Sequence, residues 1–198
     1  MKKVGVLALQ GGFMEHIAAL RRLGAGAYPV RLPGELKGLG GLVIPGGEST
    51  TIGKLMREYH LEEELSRLIA GGLPVFGTCA GMVLLARDVS GMELQTLGVM
   101  DIEVKRNAFG RQVDSFEADL AVPALGEHPF HAVFIRAPLI EKAGDSVEIL
   151  ARLPDGAPVA ARESNMLATA FHPELTTDLR FHEYFLTIIE DRLKAKAA

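Results

Sequence analysis

At 198 residues, with 48% apolar and 23% charged residues, the chain has the makeup of an ordinary folded domain rather than a disordered or membrane-embedded protein. Lys plus Arg number 21 against 25 Asp plus Glu, and the resulting net charge of −4 is the wrong sign for non-specific nucleic-acid binding. A lone cysteine excludes an internal disulfide, and no apolar run reaches transmembrane length, so a cytoplasmic location and no membrane partner are expected.

Val4 to Leu9 predicts a strand buried on both faces; its short run stops at Gln10-Gly11-Gly12 with no cleavage site following, unlike a signal peptide. Phe13, Ile17 and Leu20 then recur at helical spacing, and Gly24 supplies a stop. A weaker strand follows at Tyr28 to Leu32. Gly41 to Ile44 is another, ended by Pro45-Gly46-Gly47. Ile52, Leu55, Met56 and Tyr59 mark one helix, and Leu61, Leu65, Leu68 and Ile69 a second, before a strand at Pro74 to Phe76. Met82 to Ala86 predicts an apolar helix directly after Cys79. From Gly98 the pattern changes: Met100, Ile102 and Val104 alternate with Asp101, Glu103 and Lys105, as in a strand wetted on one face. Further strands are expected near Phe116 to Leu120, Ala132 to Ile135, Val147 to Leu153, Val159 to Arg162 and Leu167 to Phe171. Phe181, Phe185 and Ile188 mark a closing helix. Short buried strands alternating with helices predict a three-layer α/β fold, with a mixed, mostly parallel sheet flanked by helices, in a single domain over 1–198.

Gly77-Thr78-Cys79-Ala80-Gly81, between a strand and a helix, has the pattern of a nucleophile elbow with cysteine in place of serine. The turn is too tight for side chains on its flanks, and the following helix sets N–H groups beside the sulfur. A lone cysteine is most often inert core filler; the flanking glycines argue for a nucleophile here. A thiolate nucleophile needs an acid/base partner and a group to orient it. Phe171-His172-Pro173-Glu174 supplies both at a strand end, where two residues apart in an extended segment point the same way. Cys79 and His172 share one sheet edge if their strands run parallel. His16, His60, His128, His131 and His182 lack such a setting. His128 and His131 are spaced like metal ligands, but nothing completes a site, so no metal is expected.

Pro45-Gly46-Gly47-Glu48-Ser49-Thr50-Thr51 also joins a strand to a helix. It fails as a phosphate loop: the glycine spacing to Lys54 is wrong, Leu55 stands where Ser or Thr is needed, and Glu48 would repel phosphate. Its glycine N–H groups fit one half of an oxyanion hole, with Gly47 and Ala80 as the two donors.

These motifs together resemble the class I (triad) glutamine amidotransferases, and within them the glutaminase subunits of pyridoxal 5′-phosphate synthases. The general motifs are Gly5 to Gly11, Pro45 to Thr51, Gly77 to Met82 and Phe171 to Leu175. The discriminating ones are Arg106-Asn107-Ala108-Phe109-Gly110-Arg111-Gln112, Asp114-Ser115-Phe116-Glu117 and Phe134-Ile135-Arg136-Ala137-Pro138. The resemblance implies a flavodoxin-like fold, a Cys79–His172–Glu174 triad, and L-glutamine contacts at Gly47, Glu48, Ser49, Arg106, Ile135 and Arg136. It implies hydrolysis of glutamine to glutamate and ammonia, with no cofactor. The ammonia would pass to a β/α-barrel synthase subunit within a hetero-oligomeric complex that makes pyridoxal phosphate. A glutaminase of another complex or a γ-glutamyl hydrolase would keep the triad; a non-enzymatic thiol sensor would keep only Cys79.

Overall fold

Five strands whose residues are apolar on both faces can only be satisfied inside a sheet covered by helices. In the computed structural model, which describes residues 2–108 and 115–197, those strands are β1 (Lys3–Leu7), β2 (Gly26–Val30), β3 (Gly41–Ile44), β4 (Val75–Thr78) and β12 (Met166–Thr169). They run parallel in the order β12-β4-β3-β1-β2, the flavodoxin-like order. Two antiparallel strands, β11 (Pro158–Glu163) and β10 (Glu148–Arg152), extend the β12 edge to seven. The expected mixed, mostly parallel sheet is therefore present.

The pleat of β4 assigns the helical layers. Phe76 and Thr78 point to one face, where they meet His16 of α1 (Phe13–Arg22) and the aromatic rings of α5 (Arg180–Ala197). Gly77 points to the other, where a Cβ would lie 2.6 Å from the Gly81 carbonyl and 2.7 Å from Leu85, both on α4 (Ala80–Leu85). On that face α4 also packs on α2 (Ser49–Glu58), which leads into α3 (Glu62–Ala70). Phe76, Phe130, Phe171, Phe181 and Phe185 form a fully buried aromatic core on the α5 side.

The second half of the chain departs from the expectation of one sheet. Besides the seven-stranded sheet, the described residues form a three-stranded one of β5 (Ala86–Val89), β6 (Met100–Lys105) and β9 (Leu139–Ala143), and a ribbon of β7 (Ser115–Leu120) and β8 (Phe130–Ile135). β6 alternates as predicted, with Met100, Ile102 and Val104 buried. β5 and β9 were not expected. The helix after Cys79 ends at Leu85, one residue short of the predicted end, because Ala86 turns extended at φ −58°, ψ 147° and pairs with Met100. β9 carries only a short apolar pair, Leu139-Ile140, and owes its form to pairing with β6. Of the discriminating motif, Phe109, Gly110, Arg111, Gln112 and Asp114 lie outside the described residues.

Candidate active site

Parallel pairing of β4 with β12 sets Thr78 beside Thr169, so the residues that follow both strands emerge on the same edge. Cys79 follows β4. Its N–H donates to the Thr169 carbonyl at 2.8 Å, tying the turn to β12. The residue sits at φ 48°, ψ −103°, a conformation that costs a non-glycine residue on the order of 1–3 kcal/mol. The flanking glycines are required by contact rather than by φ. A Cβ on Gly81 would collide with the Ile44 backbone, and one on Gly77 with α4. The side chain is 8% exposed, and its Sγ–H donates toward the Ile135 carbonyl at 3.9 Å.

His172 and Glu174 converge as predicted but for a different reason. The segment is not extended: Pro173–Leu175 is a 3₁₀ turn, with His172 at its start. The turn brings the carboxylate back, and His172 Nδ1 lies 2.7 Å from Glu174 Oε1. The His172 N–H is anchored to the Val133 carbonyl at 2.9 Å, which ties the motif to β8. Burial alone would lower the His172 pKa. Its hydrogen bonds to Cys79 and Glu174, with the charges of both, outweigh burial and raise it to about 10. Burial would likewise raise Glu174, but the neighbouring His16 and the bond from His172 hold it below the ordinary carboxylate value. The surroundings thus favour an imidazolium at His172 beside a Glu174 carboxylate.

The Pro-Gly-Gly loop closes over this pair. The Gly46 carbonyl accepts from the Gly12 N–H at 3.1 Å, fixing the Gly46–Gly47 peptide against the loop after β1. A Cβ on Gly46 would run into the His172 ring, 2.9 Å from Nδ1. Glu48 caps α2 through the Thr50 N–H and hydroxyl, at 3.3 and 2.9 Å, and its own N–H donates to Gln10 Oε1 at 2.7 Å. Ala80 begins α4, so its N–H has no intrahelical acceptor.

All ten residues named from the sequence line one cavity of about 360 Å³: Cys79, His172, Glu174, Gly47, Ala80, Glu48, Ser49, Arg106, Ile135 and Arg136. The arginines are not equivalent within it. Arg106 Nη2 pairs with Glu48 Oε1 at 2.7 Å, whereas among the described residues Arg136 makes no hydrogen bond or ion pair. Arg136 is exposed at the end of β8, at φ 42°, and the next residue's carbonyl accepts from Ala108 N–H at 3.1 Å, linking the two arginine-bearing turns. The Ser49 hydroxyl is buried without a partner among the described residues, on the pocket wall.

Comparison with known proteins decides the family. The model of the SNO glutamine amidotransferase family matches residues 6–191. The chain belongs to that family. It is 60% identical over 187 residues to pyridoxal 5′-phosphate synthase subunit PdxT of Moorella thermoacetica, covering 94% of this chain and 99% of the relative. It is 62% identical over 184 residues to the PdxT subunit of Pelotomaculum thermopropionicum, covering 93% of each. A crystal structure of a glutamine amidotransferase superposes with a TM-score of 0.90 at 54% identity, covering 94% of this chain and 98% of that one. At 15% identity and a TM-score of 0.68, PurLQS from Thermotoga maritima, covering 94% of this chain and 98% of its own, shares the fold.

Sequence reasoning passed over several residues at this site. Gln10, Glu15, Asn107, Pro138 and Leu175 also line the pocket. Asn107 had a signal, since it adjoins Arg106 in the discriminating motif. His16 and His182 were set aside because neither follows a strand, yet both are fully buried behind Glu174. A helical histidine on the apolar face of Phe13, Ile17 and Leu20 was the signal available for His16. His131, weighed as a metal ligand, has its nitrogens 2.8 Å from Asp119 and 2.9 Å from Glu117 on the exposed ribbon. No helix among the described residues is long and apolar enough to cross a membrane.

Proposed function

We propose that the chain, as one glutaminase domain over 1–198, hydrolyses L-glutamine and supplies the ammonia to a β/α-barrel subunit of pyridoxal 5′-phosphate synthase in the cytoplasm. The observation that carries the chemistry is the strained Cys79 elbow sharing one pocket with the bonded His172–Glu174 pair. The acceptor is argued from the 60% identity to a relative named as a pyridoxal 5′-phosphate synthase subunit.

In this reading Cys79 thiolate attacks the side-chain amide carbon, and the new oxyanion rests on the N–H groups of Gly47 and Ala80. Collapse breaks the C–N bond as His172 gives its proton to the departing ammonia. Water then attacks the γ-glutamyl thioester while His172 takes a proton from it; glutamate leaves and the thiolate–imidazolium pair returns. Glu174 holds the imidazole in the tautomer and orientation that both steps need. The α-carboxylate of glutamine calls for a two-pronged guanidinium, and Arg136, without an ion pair among the described residues, is the better placed. Arg106 and Glu48 form an ion pair whose carboxylate suits the α-ammonium, with Ser49 and Ile135 completing the wall. The mechanism needs no metal or organic cofactor.

The test is ammonia release from glutamine with and without the synthase subunit, for wild type and Cys79→Ala. The variant is expected to lose at least about three orders of magnitude in turnover while keeping its fold. A variant retaining a tenth of the wild-type rate would remove Cys79 from the chemistry.

A further inference from the structure

Glu174 has two carboxylate oxygens, and the mechanism uses one. Oε1 holds His172; Oε2 points the other way, into the protein, where it is buried without an aligned hydrogen bond among the described residues. Facing it is His16 Nε2, 3.3 Å away and also 3.1 Å from the Thr78 hydroxyl, one residue before the nucleophile. His16 Nδ1 lies 2.9 Å from His182 Nε2 on α5. Four polar groups from α1, β4, the 3₁₀ turn and α5 therefore meet in a space sealed by Phe76 and the other core rings. Buried polar groups of this kind are costly unless each has a use.

The proton positions follow from elementary electrostatics. A lone pair on His16 Nε2 would face a carboxylate oxygen and repel it, so Nε2 carries the proton and Nδ1 is the acceptor. His182 Nε2 must then donate to His16 Nδ1. His182 Nδ1 is left as a bare lone pair, consistent with its having no partner among the described residues. One chain of donors results: His182 to His16, His16 Nε2–H to the Thr78 hydroxyl with its positive edge beside Glu174 Oε2, and His172 to the other oxygen of the same carboxylate. It rests on both histidines being neutral. Burial, the nearby imidazolium of His172 and the close contact between His16 and His182 keep them so, against the pull of Glu174 and, on His16, of Glu15. His16 is lowered from its ordinary pKa, and His182 is lowered to about 3.

We propose that His16, itself held by His182, is a positioning residue that fixes the anionic Glu174 carboxylate against His172 from the side opposite the pocket. The inference rests on the glutaminase reading for its kinetic consequence, but the geometry concerns the thiolate–imidazolium centre itself. Without His16, Oε2 loses the N–H edge 3.3 Å away, and the carboxylate either rotates toward the pocket or becomes easier to protonate. In both cases His172 loses its orientation and part of the anion that keeps it charged.

The test uses the full chain with its synthase subunit. His16→Ala is expected to lower kcat for glutamine hydrolysis about ten- to hundredfold, the scale of removing a buried polar neighbour from a charged group, with KM little changed. The acid limb of its pH profile should move to higher pH, since Glu174 would protonate more readily. His16→Gln, which keeps an N–H donor, should recover part of the loss. In a Glu174→Gln background His16→Ala should add little. A second readout needs no glutamine: Cys79 is the only cysteine, so its alkylation by iodoacetamide reports the thiolate–imidazolium pair alone. Slower alkylation of folded His16→Ala near neutral pH, beside a wild type that hydrolyses no glutamine, would overturn the proposed function and leave the positioning role standing. Wild-type kcat and alkylation rate in His16→Ala would overturn the positioning role. So would a kcat loss that persists in full on the Glu174→Gln background, because His16 would then act through the fold at large.

Discussion

The wall of the pocket that carries Cys79, His172 and Gly46 grows from the ends of β4, β12 and β3, inside the seven-stranded sheet. The opposite wall, carrying Arg106, Ile135 and Arg136, grows from the ends of β6 and β8, outside it. The first wall is buried, fixed by parallel register and by backbone hydrogen bonds from Cys79 to β12 and from His172 to β8. The second is more open, and its arginines stand on turns joined by the bond from Ala108 to Ala137. Groups that move protons and form bonds must hold their positions within fractions of an ångström, whereas groups that clamp a distant carboxylate need only bind. Changes on the first wall should therefore appear in kcat, and changes on the second in KM.

The largest effect belongs to the first wall. His172→Ala is expected to lower turnover about four orders of magnitude, and Glu174→Gln about one to two orders less, because the glutamate supports a histidine that itself moves the protons. The pH profile sharpens this. His172 is raised to about 10, so its imidazolium survives well above neutrality and the alkaline limb of activity should lie far above pH 8. Glu174→Gln removes a contribution that raises it, so the limb should move to lower pH. The same shift makes a stability statement: the charged imidazole favours the folded state fully below about pH 6.5, and that benefit is lost as pH rises toward about 10. Equal losses in the two variants, or an unmoved alkaline limb, would break the assignment.

Next comes a change that adds one carbon to the same wall. Gly46→Ala places a Cβ against the His172 ring, and either the ring or the loop must give way. A displacement of about 1 Å at a catalytic group costs about a hundredfold in rate, so kcat should fall on that scale with KM little altered. Gly34→Ala is the matched control, since a Cβ there meets nothing within 4 Å and the backbone needs no positive φ. Its kcat should match wild type.

How far these walls were legible in the sequence follows the same division. The sheet wall was written in local patterns: apolar runs gave β1, β3 and β4, and glycines that cannot carry a Cβ gave the Cys79 elbow and the Gly46 loop. The 3₁₀ turn at Pro173 does not show in the sequence, because His-Pro-Glu is compatible with an extended segment as well; the turn packs against both α1 and β8, which only the fold brings to it. β5 and β9 escaped because each is set by its partner, β6, rather than by its own residues. The buried His16 and His182 could not be paired at all from sequence, since 166 residues separate them and their contact exists only once α1 and α5 cover the same sheet face.

On the recognition wall the effects are smaller and of another kind. Arg136→Lys should raise KM for glutamine about tenfold with kcat within about twofold, since a lysine keeps the charge but loses the parallel pair of bonds to a carboxylate. Arg106→Lys should raise it less, because Glu48 already holds Arg106 and a lysine can keep that ion pair. Steady-state kinetics on both variants decide the order. A kcat loss at unchanged KM in either would move that arginine to the reacting end of the substrate.

The smallest effect is expected furthest from both walls, on the β7–β8 ribbon. His131 stands between Asp119 and Glu117, and its hydrogen bonds to them, Asp119 first, raise its pKa above the ordinary 6.5. A raised folded-state pKa gives stability that is fully present below about pH 6.5 and disappears as pH climbs through the folded value. Because the imidazole and both carboxylates are well exposed, water and salt screen the interaction and the benefit is slight. His131→Gln should leave kcat and KM for glutamine unchanged. Its melting temperature should fall slightly below wild type at mildly acidic pH and match it at alkaline pH, with the difference shrinking as salt is added. Thermal unfolding at two pH values and two salt concentrations measures this directly. A change in KM would mean instead that the ribbon passes strain from its exposed face along β8 to Ile135 and Arg136, and that the recognition wall is less independent of its support than its geometry suggests.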